Sequence, residues 1–139
     1  MPKQQIDATH LKKAIFALQA CILDYNEHSS KSVSLRESLR SGVIQNFEVA
    51  YELSWKIMKK WLAYNVGYSM VDGIPRFELF KLAVENGLIS DSEIWFDFHD
   101  AGNKTSHEYS ENIAEFVFEY ALKFLPYAKA FLEILEKKI

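Results

Sequence analysis

The chain has 139 residues, of which 49% are hydrophobic and 14% aromatic, enough for one domain with a real core. Its net charge is −3, which argues against broad, sequence-independent nucleic-acid binding and requires any RNA contact to come from a local basic patch. A single cysteine, Cys21, excludes an internal disulfide. The opening Met-Pro-Lys-Gln-Gln-Ile-Asp lacks the basic-then-apolar pattern of a secretion signal, and no run of about 18 apolar residues appears. A cytoplasmic, non-membrane protein of one domain, residues 1–139, is expected.

From Asp7, a plausible N-cap, apolar residues fall at Leu11, Ala14, Ile15, Leu18, Ile22 and Tyr25, the spacing of one helical face. Cys21 lies on or beside that stripe and reads as an inert packed residue. The stretch from Asn26 to Ser38 holds five Ser and little periodicity, so a loop is predicted there. A second helix is predicted from Leu39 or Arg40 to just before Gly67, with the stripe Val43, Ile44, Phe47, Ala50, Tyr51, Ile57, Met58 and Trp61. On its outer side Glu52 precedes Lys56 by four residues, the favourable order for a helical ion pair.

Pro75 suits the first turn of a helix, part of a broken third element, with Phe77, Phe80 and Val84 inward, ended by Asn86-Gly87. Ser90-Asp91-Ser92-Glu93 reads as a capping box opening a helix whose apolar side is Ile94, Trp95, Phe98 and Ala101. A polar stretch, Gly102 to Tyr109, follows between two apolar helices. Ser110 then caps a last helix with a heptad seam of Ile113, Val117, Tyr120, Phe124, Tyr127, Phe131 and Ile134. Pro126 lies inside that seam and predicts a kink. No segment alternates like a strand, so the fold class is all-α, an up-and-down bundle of four or five helices.

Two strings stand out. One is Phe47-Glu48 followed by Tyr51-Glu52-Leu53-Ser54-Trp55-Lys56, with Arg40 upstream. The other is Asn103-Lys104-Thr105-Ser106-His107-Glu108-Tyr109, with Pro75-Arg76 between the two. In this order and separation they resemble the nucleotidyltransferase substrate-binding protein family, part of the wider HEPN group of helical domains that includes the HepT toxins. The resemblance runs from about residue 10 to 135. It implies a HEPN-like bundle, similar to the helical domain that completes aminoglycoside nucleotidyltransferases, that forms a homodimer. It also implies a minimal nucleotidyltransferase partner in a toxin–antitoxin-like pair, with the nucleotide chemistry on the partner. In the HepT branch the bundle is a metal-independent ribonuclease that the partner silences by adenylylating a tyrosine, which makes Tyr109 the modification candidate here.

The HEPN ribonuclease motif is an Arg, a polar residue and, four to six residues after the Arg, a His. An imidazole near neutral pKa moves the proton of a ribose 2′-OH, and a guanidinium stabilises charge gathering on phosphorus. Here Asn103 and His107 match the polar residue and the histidine, while Gly102 stands where the Arg belongs. No Arg occurs from Glu78 to the last residue. Lys104 offers a positive charge one turn from His107, but as a flexible point charge rather than a bidentate fork. The expectation is an accessory subunit that is itself non-catalytic; the alternative is a HepT-like ribonuclease using His107, Asn103 and Lys104.

Each assignment has a plainer counterpart. His107 could bond backbone groups at a helix junction, Tyr109 could pack at the mouth of the last helix, and Glu48, Glu52 and Lys56 could be surface charges. Trp55, off the main stripe, is the better candidate for a groove or partner surface together with Arg40. His99, Asp100 and His107 make a weak metal set without a Cys cluster or a His-Glu-x-x-His pattern, and no Gly-rich phosphate loop is present. No metal and no cofactor are expected.

Overall fold

The computed structural model describes residues 6–107 and 109–139. The leader-pattern reading rests on residues 1–5, which lie outside this set, as does Glu108 of the polar string. Among the described residues six helices follow in order: α1 (Thr9–His28), α2 (Val33–Asn65), α3 (Tyr68–Val71), α4 (Arg76–Glu85), α5 (Ser92–His107) and α6 (Glu111–Lys138). The fold is an all-α bundle, with no strand among the described residues. α2, with 33 residues, would extend about 50 Å at 1.5 Å per residue. It packs against α1, α6, α5 and α4, and α5 is held between α4 and α6.

Local chemistry sets most of the boundaries. The Asp7 carboxylate accepts from Thr9 N at 2.9 Å and so covers the start of α1. Asp91 Oδ1, rather than Ser90, accepts from Glu93 N at 2.9 Å at the start of α5. Ser110 Oγ accepts from Ile113 N and opens α6. Gly87, at φ 73°, ends α4 in the left-handed region that glycine reaches without steric cost. α6 continues as helix across Pro126.

Two sequence expectations are corrected. The segment 26–38 is a loop only at 29–32: α1 runs to His28 and α2 begins at Val33, because Ser32 Oγ accepts from Leu35 N at 3.0 Å and caps it. The polar stretch 102–107 is not a linker; it is the last turns of α5. In both places polar residues on a solvent-facing helix surface had the composition of a loop.

The core is aromatic. Phe124 of α6 meets Phe47 at 5.1 Å, Phe98 at 5.1 Å and Trp95 at 5.5 Å between ring centroids, all edge-on. Edge-to-face pairs add about 0.5–1.5 kcal/mol each beyond the area they bury. All four rings are fully enclosed. The buried face of α6 includes Ala114, Ala121 and Ala128, where helices approach closely, so the expected seam residues Tyr120, Tyr127 and Ile134 flank it half-buried.

Arg40 ties α2 to α6. Its buried guanidinium grips Glu111 with both forks, at 2.7 and 2.9 Å, and reaches Glu115 at 2.5 Å. It is therefore engaged inside the subunit rather than lining a groove. Hydrogen bonding to Arg40 holds the Glu111 carboxyl below its ordinary value. A carboxyl with a depressed folded pKa stabilises the fold above its unfolded pKa and loses that contribution as pH falls through the folded one. Arg40→Ala should lower the melting temperature by on the order of 5 °C at pH 7. Wild type and Glu111→Gln should differ in stability at neutral pH and converge as pH drops below the usual glutamate range. A gap that does not change with pH in thermal melts would contradict this role.

Candidate functional site

The packing of Trp95, Phe98 and Ala101 into the core fixes the rotation of α5, and with it the residues that face α2. His99, Gly102, Asn103 and Thr105 come to α2 residues Glu48, Tyr51 and Glu52. Thr105 Oγ1 donates to Glu48 Oε2 at 3.3 Å. Glu48, Tyr51, Glu52, Gly102 and Asn103 line a cleft of about 120 Å³.

At the cleft, the Tyr51 hydroxyl and His99 Nδ1 are 2.8 Å apart, and His99 Nε2 is 3.2 Å from the Asn103 amide nitrogen. That amide nitrogen can only donate, so in this arrangement Nε2 accepts. The single proton of a neutral ring then sits on Nδ1 and goes to the Tyr51 oxygen, leaving the phenolic proton free to donate elsewhere. Burial, aided by the nearby Arg76 charge, pushes the His99 pKa down, while burial pushes the Tyr51 phenol up. Burial also raises Glu48 against the opposing hydrogen bond from Thr105. Burial thus works against the charged form of each of the three groups.

Gly102 holds a helical position with no left-handed φ, and a Cβ built there meets Tyr51 Cδ2 at 4.0 Å, an ordinary contact. Nothing local requires glycine. The backbone would accept a side chain here, and without one the cleft has no guanidinium from its own motif position.

The other motif residues spread outward. Asn103, Lys104 and His107 are all exposed on the last turns of α5, and the Lys104 ammonium lies 5.1 Å from the centre of the Phe116 ring. Tyr109 is 58% exposed, with its hydroxyl 3.1 Å from Ser41 Oγ of α2. It is open to solvent rather than packed at the mouth of α6. Glu52 and Lys56 form the expected surface pair at 3.6 Å. Such exposed pairs contribute about 0–1 kcal/mol.

Two residues matter more than the sequence showed. Arg76, at the start of α4, lays its guanidinium 3.2 Å from the centre of the Trp55 ring, so the half-buried Trp55 is partly covered by its own chain. Arg76 Nη1 and Trp55 Nε1 are buried without a hydrogen-bond partner among the described residues. In the sequence His99 stands out only as a weak metal ligand; its four-residue spacing to Asn103 is the local signal of the pairing. As for metals, Asp24, Glu27 and His28 bring ligand atoms within 4.8 Å of one another, but at the far end of α1 and on open surface. Cys21 is half-buried, accepts a hydrogen bond from Asn46 at 3.3 Å, and has its pKa raised by burial.

A six-helix bundle with this α2–α5 cleft defines a class of helical protein, and comparison with known proteins places it. Residues 6–137 match the model of the family described as nucleotidyltransferase substrate binding protein like, and the chain belongs to that family. It is 29% identical over 142 aligned positions to a protein of Haemophilus influenzae named probable ribonuclease HepT, covering 99% of this chain and 97% of the relative. It is also similar to a solved structure from the same organism, described as the fold of a substrate-binding domain of a nucleotidyltransferase. That match has a TM-score of 0.84 and 29% identity, covering 94% of this chain and 99% of the other. Among the described residues no helix is long and apolar enough to cross a membrane.

The low pKa of His99 is directly measurable. Its ring should titrate below the ordinary histidine range in NMR spectra, and Tyr51→Phe should shift that midpoint by removing the hydroxyl. A midpoint at or above the ordinary value would contradict the network.

Proposed function

We propose that this chain is the helical accessory subunit of a two-protein nucleotidyltransferase, and that it does not itself catalyse a reaction. The observation that carries this reading is Gly102. The position that would supply a fixed cation to the motif holds no side chain, although the backbone there would accept one. Losing one positioned transition-state donor typically costs about 10²–10³ in rate. The family's description supports a role alongside a nucleotidyltransferase.

In this account the subunit forms a homodimer in the cytoplasm and docks a minimal nucleotidyltransferase that brings nucleotide and metal. The α2–α5 cleft, with Glu48, Glu52 and Asn103, faces the group to be modified. Tyr109, exposed beside Ser41, is accessible to adenylylation by that partner. Trp55 and Lys56 lie further along α2, away from that cleft.

A second reading is a HEPN ribonuclease, favoured by the HepT relative and by the placement of Asn103 and His107 one turn apart on α5 with both side chains exposed. Lys104 would then supply the positive charge. It is engaged with the Phe116 ring and, as a single flexible ammonium, offers less than a bidentate guanidinium. Its test is whether RNA cleavage by the purified protein depends on His107.

The subunit reading is tested by looking for a minimal nucleotidyltransferase gene beside that of the chain and co-expressing the two proteins. A complex that survives size-exclusion chromatography at micromolar concentration, together with a mass increase of one adenylyl group abolished by Tyr109→Phe, is the expected result. Two proteins that elute separately at that concentration would overturn it.

A further inference from the structure

The chain is acidic overall, yet between Trp55 and Val71 it carries three lysines and no carboxylate, the nearest in sequence being Asp72, which accepts from the Tyr68 hydroxyl at 3.3 Å. The structure gathers these lysines with aromatic rings on one surface, built from the last third of α2 and from α3. Lys56, Lys59 and Lys60 border a cleft of about 360 Å³ against Trp55 and Tyr68. A second cleft of about 430 Å³ adjoins it, lined by Lys60, Ala63, Tyr64 and Tyr68. Tyr64 and Tyr68 are 55% and 70% exposed, an unusual cost in apolar surface for rings that fill no part of the core.

Among the described residues Lys59 and Lys60 lie within 4.0 Å of no carboxylate, while Lys56 forms the exposed pair with Glu52 and lies 5.8 Å from the centre of the Trp55 ring. Asp7 is near enough to feel Lys60 but does not pair with it.

We infer that this surface binds single-stranded nucleic acid, with bases stacked on Tyr64 and Tyr68 and successive phosphates on Lys56, Lys59 and Lys60. A cleft lined by Ala63 and two exposed rings suits a flat base, which any sequence can offer. Lys56 and Lys60 lie one helical turn apart, about 6 Å along α2. That spacing lets one strand neutralise several phosphates in turn. An acidic peptide would also meet the lysines. However, lysine is depleted in protein–protein interface cores, and here it borders both clefts. Further down α2 the carboxylates Glu52 and Glu48 would repel a polyanion, so the strand is confined to this end and does not run through the Asn103 cleft. The inference needs neither ribonuclease activity nor a nucleotidyltransferase partner.

The experiment is fluorescence anisotropy with a labelled twelve-nucleotide oligothymidylate, which cannot be cut because it lacks 2′-hydroxyls, and with its ribonucleotide counterpart. Binding should weaken with salt at a log–log slope near −2, as expected for about three phosphate contacts on a single strand. Lys59→Gln/Lys60→Gln should flatten that slope to about −0.7, as for one remaining phosphate contact. Tyr64→Ala and Tyr68→Ala should each weaken binding roughly 5- to 100-fold. Lys123→Gln, on α6, should change nothing. Circular dichroism checks each fold. In the unaltered protein, amide NMR shifts on adding the oligonucleotide should cluster in residues 55–71. Overturning results are binding indifferent to these variants, equal affinity for a duplex of the same length, equal competition by ATP, or amide shifts elsewhere. An acidic peptide that displaces the oligonucleotide and binds more tightly would reassign the surface to a protein.

Discussion

The arrangement depends on one contact: the wedge of Trp95 and Phe98 of α5 into the rings of Phe47 and Phe124. Interiors packed at crystalline density leave such a wedge one comfortable rotation. That rotation decides which residues of α5 meet α2. His99, Gly102 and Asn103 sit beside Tyr51 and Glu48 because their neighbours Phe98 and Ala101 have nowhere else to go. The Arg40 clamp closes the adjacent end, between α2 and the start of α6, and so frames the segment that carries His107 and Tyr109.

With the backbone fixed in this way, function turns on which charges reach the cleft. Burial at and beside the cleft opposes charge, lowering the His99 pKa and raising those of the Tyr51 phenol and the Glu48 carboxyl. The positive charge that would offset a strained phosphate is missing at Gly102. The arginine nearest in charge to His99 is stacked on Trp55 instead. A cleft of this kind can position a polar group through hydrogen bonds, but it lacks a fixed cation aimed at developing negative charge. Lys59 and Lys60 lie further along α2, on the lysine–tyrosine surface.

Much of this was legible in the chain. The all-α class, the inward stripes of α1 and α2, and the Ser110 cap follow from spacing and capping chemistry, and the two polar strings carried the family. The segment 26–38 misled because five serines read as a loop, whereas Ser32 caps a helix that needs few apolar contacts in its first turns. Residues 102–107 misled similarly, since a polar helical end exposed to solvent has no stripe to display. Arg40 with Glu111, 71 residues apart, and Tyr51 with His99, 48 apart, are beyond any local pattern. Only the fold brings them together.

The most direct measurement is cleavage of a single-stranded transcript by purified protein, comparing wild type, Gly102→Arg, and Gly102→Arg with His107→Ala. With the missing cation as the decisive lack, wild type stays at background, the arginine raises the rate by roughly 10²–10³, and removing the imidazole abolishes the gain. Brisk cleavage by wild type that vanishes with His107→Ala would contradict the account.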